Sequence, residues 1–219
     1  MNKIVLDKEE FIVVTSDLEI VVQDDLMKEV YLCSKGGSYH INYQLGKNSH
    51  LTVYHYSMNT SFDISVHLMK EEASISYFYN TISEEDQTFS FSIFHEDSKT
   101  HSHVFSHGVN TGDHSLLFDI YPHVLKESEL CVCNQESNII NLGLGSSTIR
   151  PNLLIDHYNV LSSHSAYIGT FLEEELFYLM SRGLSRDVSY ALLLESFLVK
   201  DKEKLEKVFP KFLEKLKEL

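Results

Sequence analysis

Residues 162–185, SSHSAYIGTFLEEELFYLMSRGLS, are where one periodicity stops and another starts. Upstream, apolar and polar residues alternate with period two, as in YHINYQL (39–45), HLTVYHY (50–56), FDISVHL (62–68), SISYFYN (74–80), TFSFSIFH (88–95) and ELCVCNQ (129–135). Such runs, rich in Val, Ile, Tyr, Phe and Thr, suit a half-buried pleated surface. Short polar breaks separate them: CSKGGS (33–38), LGKNS (45–49) and ISEEDQ (82–87). The reading is an all-β body over about 3–169. An antiparallel barrel or jelly roll and a stacked solenoid both satisfy this spacing. LGKNS could close a hairpin, and pattern alone does not separate the two architectures.

Downstream of 170 the period becomes helical. Thr170 and Glu173 have capping-box spacing, and Leu172, Leu176, Phe177, Leu179 and Met180 form one broad apolar face. Gly183 is expected to end this helix in a left-handed conformation, with Arg182 beside it positioned to bond free carbonyls. Ser185 is read as the cap of a second helix with core positions Val188, Ala191, Leu192, Leu194, Ser196, Phe197 and Leu198. A third segment from Asp201 carries Leu205, Val208, Phe209, Phe212, Leu213, Leu216 and Leu219, and Pro210 should kink or split it. Its apolar stripe must be covered by the chain's own body or by a partner.

Composition narrows the function. The 219 residues fit one folded domain, or one domain with a small appendage. A net charge of −14 argues against nucleic acid, which needs a basic surface. Residues 200–219 are net +2 and 1–199 net −16, and the mixed-sign tail reads as a solvated helix face. No apolar run approaches the ~20 residues of a membrane span, and MNKIVLDKEE lacks a signal-peptide core, so a cytoplasmic protein is expected. Cys33, Cys131 and Cys133 show no zinc spacing; reduced thiols are expected, the last two as buried small hydrophobes.

Twelve histidines invite a metal hypothesis, and HSHVFSHG holds His101, His103 and His107. His101 and His103 would share a strand face, as in a cupin-like metalloenzyme, although that fold's glutamate and glycines are missing. NLGLGSST (141–148) runs into Arg150 and Pro151 rather than a helix, and no GxxxxGK[ST] motif occurs, so any ATP in this protein's task is bound by another chain. There is no nucleophile elbow, and Glu84 and Glu85 read as loop acids.

From about 131 to 198 the sequence resembles the SufB/SufD proteins of iron–sulfur cluster assembly. The resemblance lies in a strand with Gln135 and Asn138, RPNLLID (150–156) with Pro151, VLSSHSAYIGTFLEEELFYLMSRGLS with Arg182 and Gly183, and an Ala/Leu-rich helix ending in Phe. It implies a right-handed parallel β-helix core over 1–169 and a C-terminal helical subdomain over 170–219. It further implies a non-enzymatic scaffold that pairs through the β-helix with a SufB/SufD-type partner or with itself. A SufC-type ABC ATPase, which binds the ATP, would dock on the helices, with Phe177, Tyr178 and Arg182 in the docking face. A transient iron–sulfur cluster at the partner interface is implied, with His164 as the cluster-proximal residue and a possible metal ligand. Where the family usually has cysteine two residues before that histidine, this chain has Ser162, whose hydroxyl is a poor soft-metal ligand. No counterpart of the N-terminal helical region of longer members is recognised, so the chain looks like a reduced SufD-type subunit.

Overall fold

The computed structural model describes residues 2–6 and 10–219; residues 7–9 of the expected β body lie outside the described residues. The strands are β1 (Asn2–Val5), β2 (Glu10–Val13), β3 (Leu18–Val22), β4 (Met27–Leu45), β5 (His50–Leu68), β6 (Ser74–Ser83), β7 (Gln87–His95), β8 (His101–Asn110), β9 (Leu116–Val124), β10 (Val132–Asn141), β11 (Ser147–Pro151), β12 (Leu154–Ile155) and β13 (Leu161–Gly169). Four helices follow: α1 (Glu173–Ser181), α2 (Arg186–Leu198), α3 (Lys202–Val208) and α4 (Pro210–Glu218).

Every strand pairing is parallel. That excludes the hairpin-built barrel and leaves the solenoid, here of about six turns. One face stacks β2, the first half of β4, the first half of β5, β6, β8, β10 and β13. The other stacks β1, β3, the second halves of β4 and β5, β7, β9 and the short β11 and β12. β4 and β5 turn the corner between faces without a break, at Gly36 and Gly37 (φ +74° and +98°) and at Asn59 (φ +51°). LGKNS is thus a coil corner, not a hairpin.

The period-two alternation separates inside from outside. Inward rows such as Val30–Val53–Tyr77–Val104 are buried and form the main core with Ile64, Phe89, Phe91 and Phe118. Outward, Phe11, Tyr31, Tyr54, Phe78 and Phe105 stack coil on coil with centroids 4.9–5.2 Å apart. The next apolar outward row, Met58–Ile82–Val109–Ile140, is covered by helices.

That cover comes from the tail. Leu194 and Leu198 of α2, Leu205 of α3, and Phe212, Leu213 and Leu216 of α4 form a second core with Tyr56, Met58, Ile82, Val109 and Ile140. Lys204–Glu29 (2.8 Å) and Lys215–Glu84 (2.6 Å) fasten its edges. Pro210 splits the segment as expected, standing at the first position of α4 where its missing N–H costs nothing. The apolar stripe of 205–219 therefore lies on the chain's own body. No described helix is long and apolar enough to cross a membrane.

Candidate functional site

The last coil differs from those before it. β13 hydrogen-bonds to β10 on one side and, among the described residues, has no partner strand on the other. Eight of its nine residues are exposed, the exception being the half-buried Gly169, so its inward-running rows open to solvent. The row Leu51–Ile75–Ser102–Cys133 ends in Ser162, and Val53–Tyr77–Val104–Gln135 ends in His164. Along both, the interior changes from mainly apolar to polar side chains toward β13. Gln135 donates to the Asn152 carbonyl at 2.8 Å, and Ser163 to Asn134 Oδ1 at 2.7 Å. A strand edge of this kind is a ready template for another strand.

The two neighbouring thiols are closed off from this edge. Cys131 and Cys133 do share the inward face and are buried. Thr100 donates to the Asp97 carbonyl (2.9 Å), so His95 donates from Nδ1 to Thr100 Oγ1 (2.8 Å). Its Nε2 then accepts from the Ser102 hydroxyl (2.9 Å) and the Cys133 thiol (3.2 Å). Burial pushes the Cys133 thiol up to about 12 and His95 down to about 4, so the pair is neutral at pH 7 and the thiol is unreactive. Cys133, the register partner of Ser162, therefore offers no thiolate at neutral pH.

The alternative reading of a histidine metal cluster finds no converging donor set. His101, His103 and His107 lie on one outward face of β8, but His101 is exposed, His103 rests on Phe105 (4.1 Å), and His107 is buried beneath α2. Among the described residues, no three His, Cys, Asp or Glu side chains could hold a metal ion. With neither a cupin barrel nor a converging donor set, the metalloenzyme reading is set aside. His107 instead donates from Nδ1 to the Phe197 carbonyl (2.8 Å), accepts from Asn138 at Nε2 (3.3 Å) and stacks on the Phe197 ring.

In α1 two local expectations are corrected. Thr170 and Glu173 make no capping box: the helix begins after Leu172, whose N–H is bonded by Glu175 (3.1 Å), while Glu173 pairs with Arg186 (2.8 Å). The apolar face is also not a core face. Only Leu176 is buried; Phe177 is 73% and Tyr178 58% exposed, and Leu172 and Met180 are exposed too. On α2, likewise, Val188, Ala191, Leu192 and Ser196 face solvent while Leu194 and Leu198 are buried. Gly183 does end α1 in the left-handed region (φ +93°), and Ser185 caps α2 through Val188 N. Arg182 turns from the free carbonyls to Tyr178, 5.2 Å over its ring and 3.3 Å from its hydroxyl. Pro151 ends β11 on the opposite face, beside Ile120.

Sequence reasoning missed the corner residues and the His107 bond to the Phe197 carbonyl of α2. Asp25, Asn48, Glu72, Lys99 and Leu130 all have positive φ, one per coil, and each donates its N–H to a carbonyl of the next coil. Only Asn and Asp advertise that conformation, so three of the five carry no signal. The aromatic stack, recurring once per coil, was the readable clue.

Comparison with known proteins agrees with this geometry. The family model described as SUF system FeS cluster assembly, SufBD core domain, matches residues 18–197. The iron–sulfur cluster assembly protein SufD of Bacillus subtilis is 28% identical over 116 residues, which is 52% of this chain and 26% of that protein. An iron–sulfur cluster assembly SufBD family protein of Archaeoglobus fulgidus is 48% identical over 48 residues, 22% of this chain and 13% of that protein. The alignments thus span about a quarter or less of these relatives. With the match extending from the third strand almost to the end of α2, on a parallel solenoid carrying C-terminal helices, the chain belongs to the SufBD family.

Proposed function

We propose that this chain is a non-enzymatic scaffold subunit of SUF iron–sulfur cluster assembly, joined through β13 to a SufB/SufD-type protein or a second copy, with a SufC-type ATPase docked on α1 and the exposed side of α2. The observation that carries the reading is the unpaired edge of β13 with its inward row open at His164. A partner strand added there would satisfy the free backbone groups and enclose His164 between two solenoid ends. A nascent cluster at that junction would meet one imidazole from this chain, with sulfur ligands supplied by a SufB/SufD-type partner; a second copy would add only a second imidazole. ATP is bound by the ATPase, and the cluster is cargo rather than a resident cofactor. Phe177, Tyr178 and Arg182 offer the docking chemistry: exposed aromatic area beside a guanidinium.

Co-expression with a SufC-type ATPase tests this. Deleting every helix after 170 would strip the solenoid's outer row, so point changes are the cleaner probe. Wild type should co-purify with the ATPase, and Phe177→Glu should lose it while melting at the wild-type temperature. Wild type that never captures the ATPase would sink the docking reading. His164→Ala should retain the complex and lose cluster yield in reconstitution; unchanged yield would remove His164 from the site.

A further inference from the structure

β13 is an edge strand without the usual guards. Its residues, LSSHSAYIG, include no Asp, Glu, Lys, Arg or Pro, in a chain of net charge −14. Exposed edges are ordinarily blunted by charge, by proline or by a covering element. At the other end of the solenoid, β1 and β2 do carry Lys3 and Glu10. On β13, by contrast, Leu161, Tyr167 and Ile168 stand exposed. A second, equally acidic copy can approach such an edge without like charges meeting across it.

The backbone limits how two copies pair. Leu161 turns its N–H to the Cys131 carbonyl of β10. By alternation Ser163, Ser165, Tyr167 and Gly169 also face β10, whereas Ser162, His164, Ala166 and Ile168 turn their N–H and C=O groups to the free edge. Copies related by a two-fold axis through that edge pair antiparallel. Only a register centred on Ser165 then matches those four residues among themselves with none left over: Ser162 with Ile168, and His164 with Ala166.

The side chains select the same register. Centred on Ser165, every large residue meets a small one: Leu161 meets Gly169, Ile168 meets Ser162, Tyr167 meets Ser163 and His164 meets Ala166. Moving the centre to His164 sets Leu161 against Tyr167 and His164 against itself, and moving it to Ala166 sets His164 against Ile168. The Tyr167 ring folds back over Gly169, its hydroxyl donating to the Thr170 carbonyl (2.6 Å), so its edge meets the incoming Leu161. Beside that ring, where this leucine arrives, opens a cavity of about 290 Å³ lined by Tyr167, Phe171 and Leu172 among others.

We infer that β13 is a self-complementary edge whose partner is a second copy of this chain, paired antiparallel about Ser165. This rests on the reading of β13 as the pairing strand and decides which of its partners it takes. The two His164 residues become diagonal neighbours on the inward face, with Cα atoms about 7–8 Å apart.

Cysteine crosslinking in the full chain tests the register. Ser165 faces its own copy at a non-hydrogen-bonded pair, where Cα atoms are about 4.5 Å apart, within disulfide range, and the native Cys33, Cys131 and Cys133 are buried. Ser165→Cys should give a disulfide-linked dimer on mild oxidation, whereas Ser163→Cys, displaced from its own copy along the strand, should not. No crosslink from Ser165→Cys, or equal crosslinking from both, would overturn the register. Ser165→Lys and Ser165→Glu each oppose like charges at the axis and should weaken the dimer about tenfold or more in sedimentation. Mixing the two variants should restore it; no rescue, with both variants folded by circular dichroism, would overturn pairing about Ser165. Wild type that stays monomeric yet joins a SufB/SufD-type protein would overturn self-pairing and leave the scaffold reading standing. Wild type that joins neither would overturn both.

Discussion

α4 and α1 are both nine-residue amphipathic helices, yet they end up in opposite situations. α4 sinks Phe212, Leu213 and Leu216 into the solenoid's outer surface, with the Phe212 ring 5.4 Å from Tyr56. α1 buries Leu176 alone and holds Phe177 and Tyr178 out to water. Their own sequences do not explain the difference. Their positions do: α4 packs over the apolar row Met58–Ile82–Val109–Ile140, whereas no residue of α1 enters that second core. An amphipathic helix is a statement of need, and the neighbouring row decides whether the need is met within the chain.

The sharpest way to test that contrast is to truncate one aromatic on each helix. Phe212→Ala empties a fully buried site and should cost about 3–5 kcal/mol in urea unfolding. Phe177→Ala removes exposed surface and should stay within about 0.5 kcal/mol of wild type while weakening ATPase capture. Equal losses from the two would mean that α1 is covered by something other than a partner.

A second contrast sets interior against surface. His55 and His95 are fully buried, and desolvation lowers them to about 3 and about 4. Their folded values lie below the unfolded value of about 6.5. Between those limits the unfolded chain therefore binds more protons than the native one, and stability rises with pH. Their neutral forms stabilise fully above pH ~6.5, and that contribution drains as pH falls toward their folded values. Two such groups are worth on the order of several kcal/mol by pH ~4.5. The net charge of −14 works the other way, since acid relieves self-repulsion, so the comparison must be internal. His95→Gln should flatten the loss of urea midpoint between pH 7 and pH 5 relative to wild type; parallel slopes would show that His95 titrates normally.

Much of the body was legible because alternation maps directly onto in and out. The strands at 39–45, 50–56, 62–68 and 74–80 were read from pattern, and Pro210 and Gly183 marked their helix boundaries through plain backbone chemistry. Parallel pairing was not legible, since alternation is the same whether the next strand returns by a hairpin or by a coil; only the family resemblance pointed to the solenoid. The helix faces misled for a related reason. Leu172, Val188 and Leu192 have core periodicity, but burial depends on a row fixed by residues far away in sequence, from Met58 to Ile140. His107 reads as one of a histidine trio, and only tertiary structure shows it bound to a carbonyl ninety residues on. At the proposed site, His164 was visible from its motif, whereas its exposure at an open inward row required the register.

The smallest effect concerns the coil corners. Leu130 occupies the left-handed position (φ +58°) that Asp25 and Asn48 fill in earlier coils, and its N–H bonds the Asn159 carbonyl just as theirs bond the next coil. For a leucine that conformation costs about 1–2 kcal/mol through Cβ crowding, whereas glycine adopts it freely at an entropic cost of roughly 0.5–1 kcal/mol. The side chain is about half exposed, so little burial is lost. Leu130→Gly should therefore stabilise by about 0.5–1 kcal/mol, and Leu130→Ala, which keeps the Cβ, should not. A gain from alanine equal to that from glycine would show that the leucine side chain, not its backbone, is what this corner tolerates poorly.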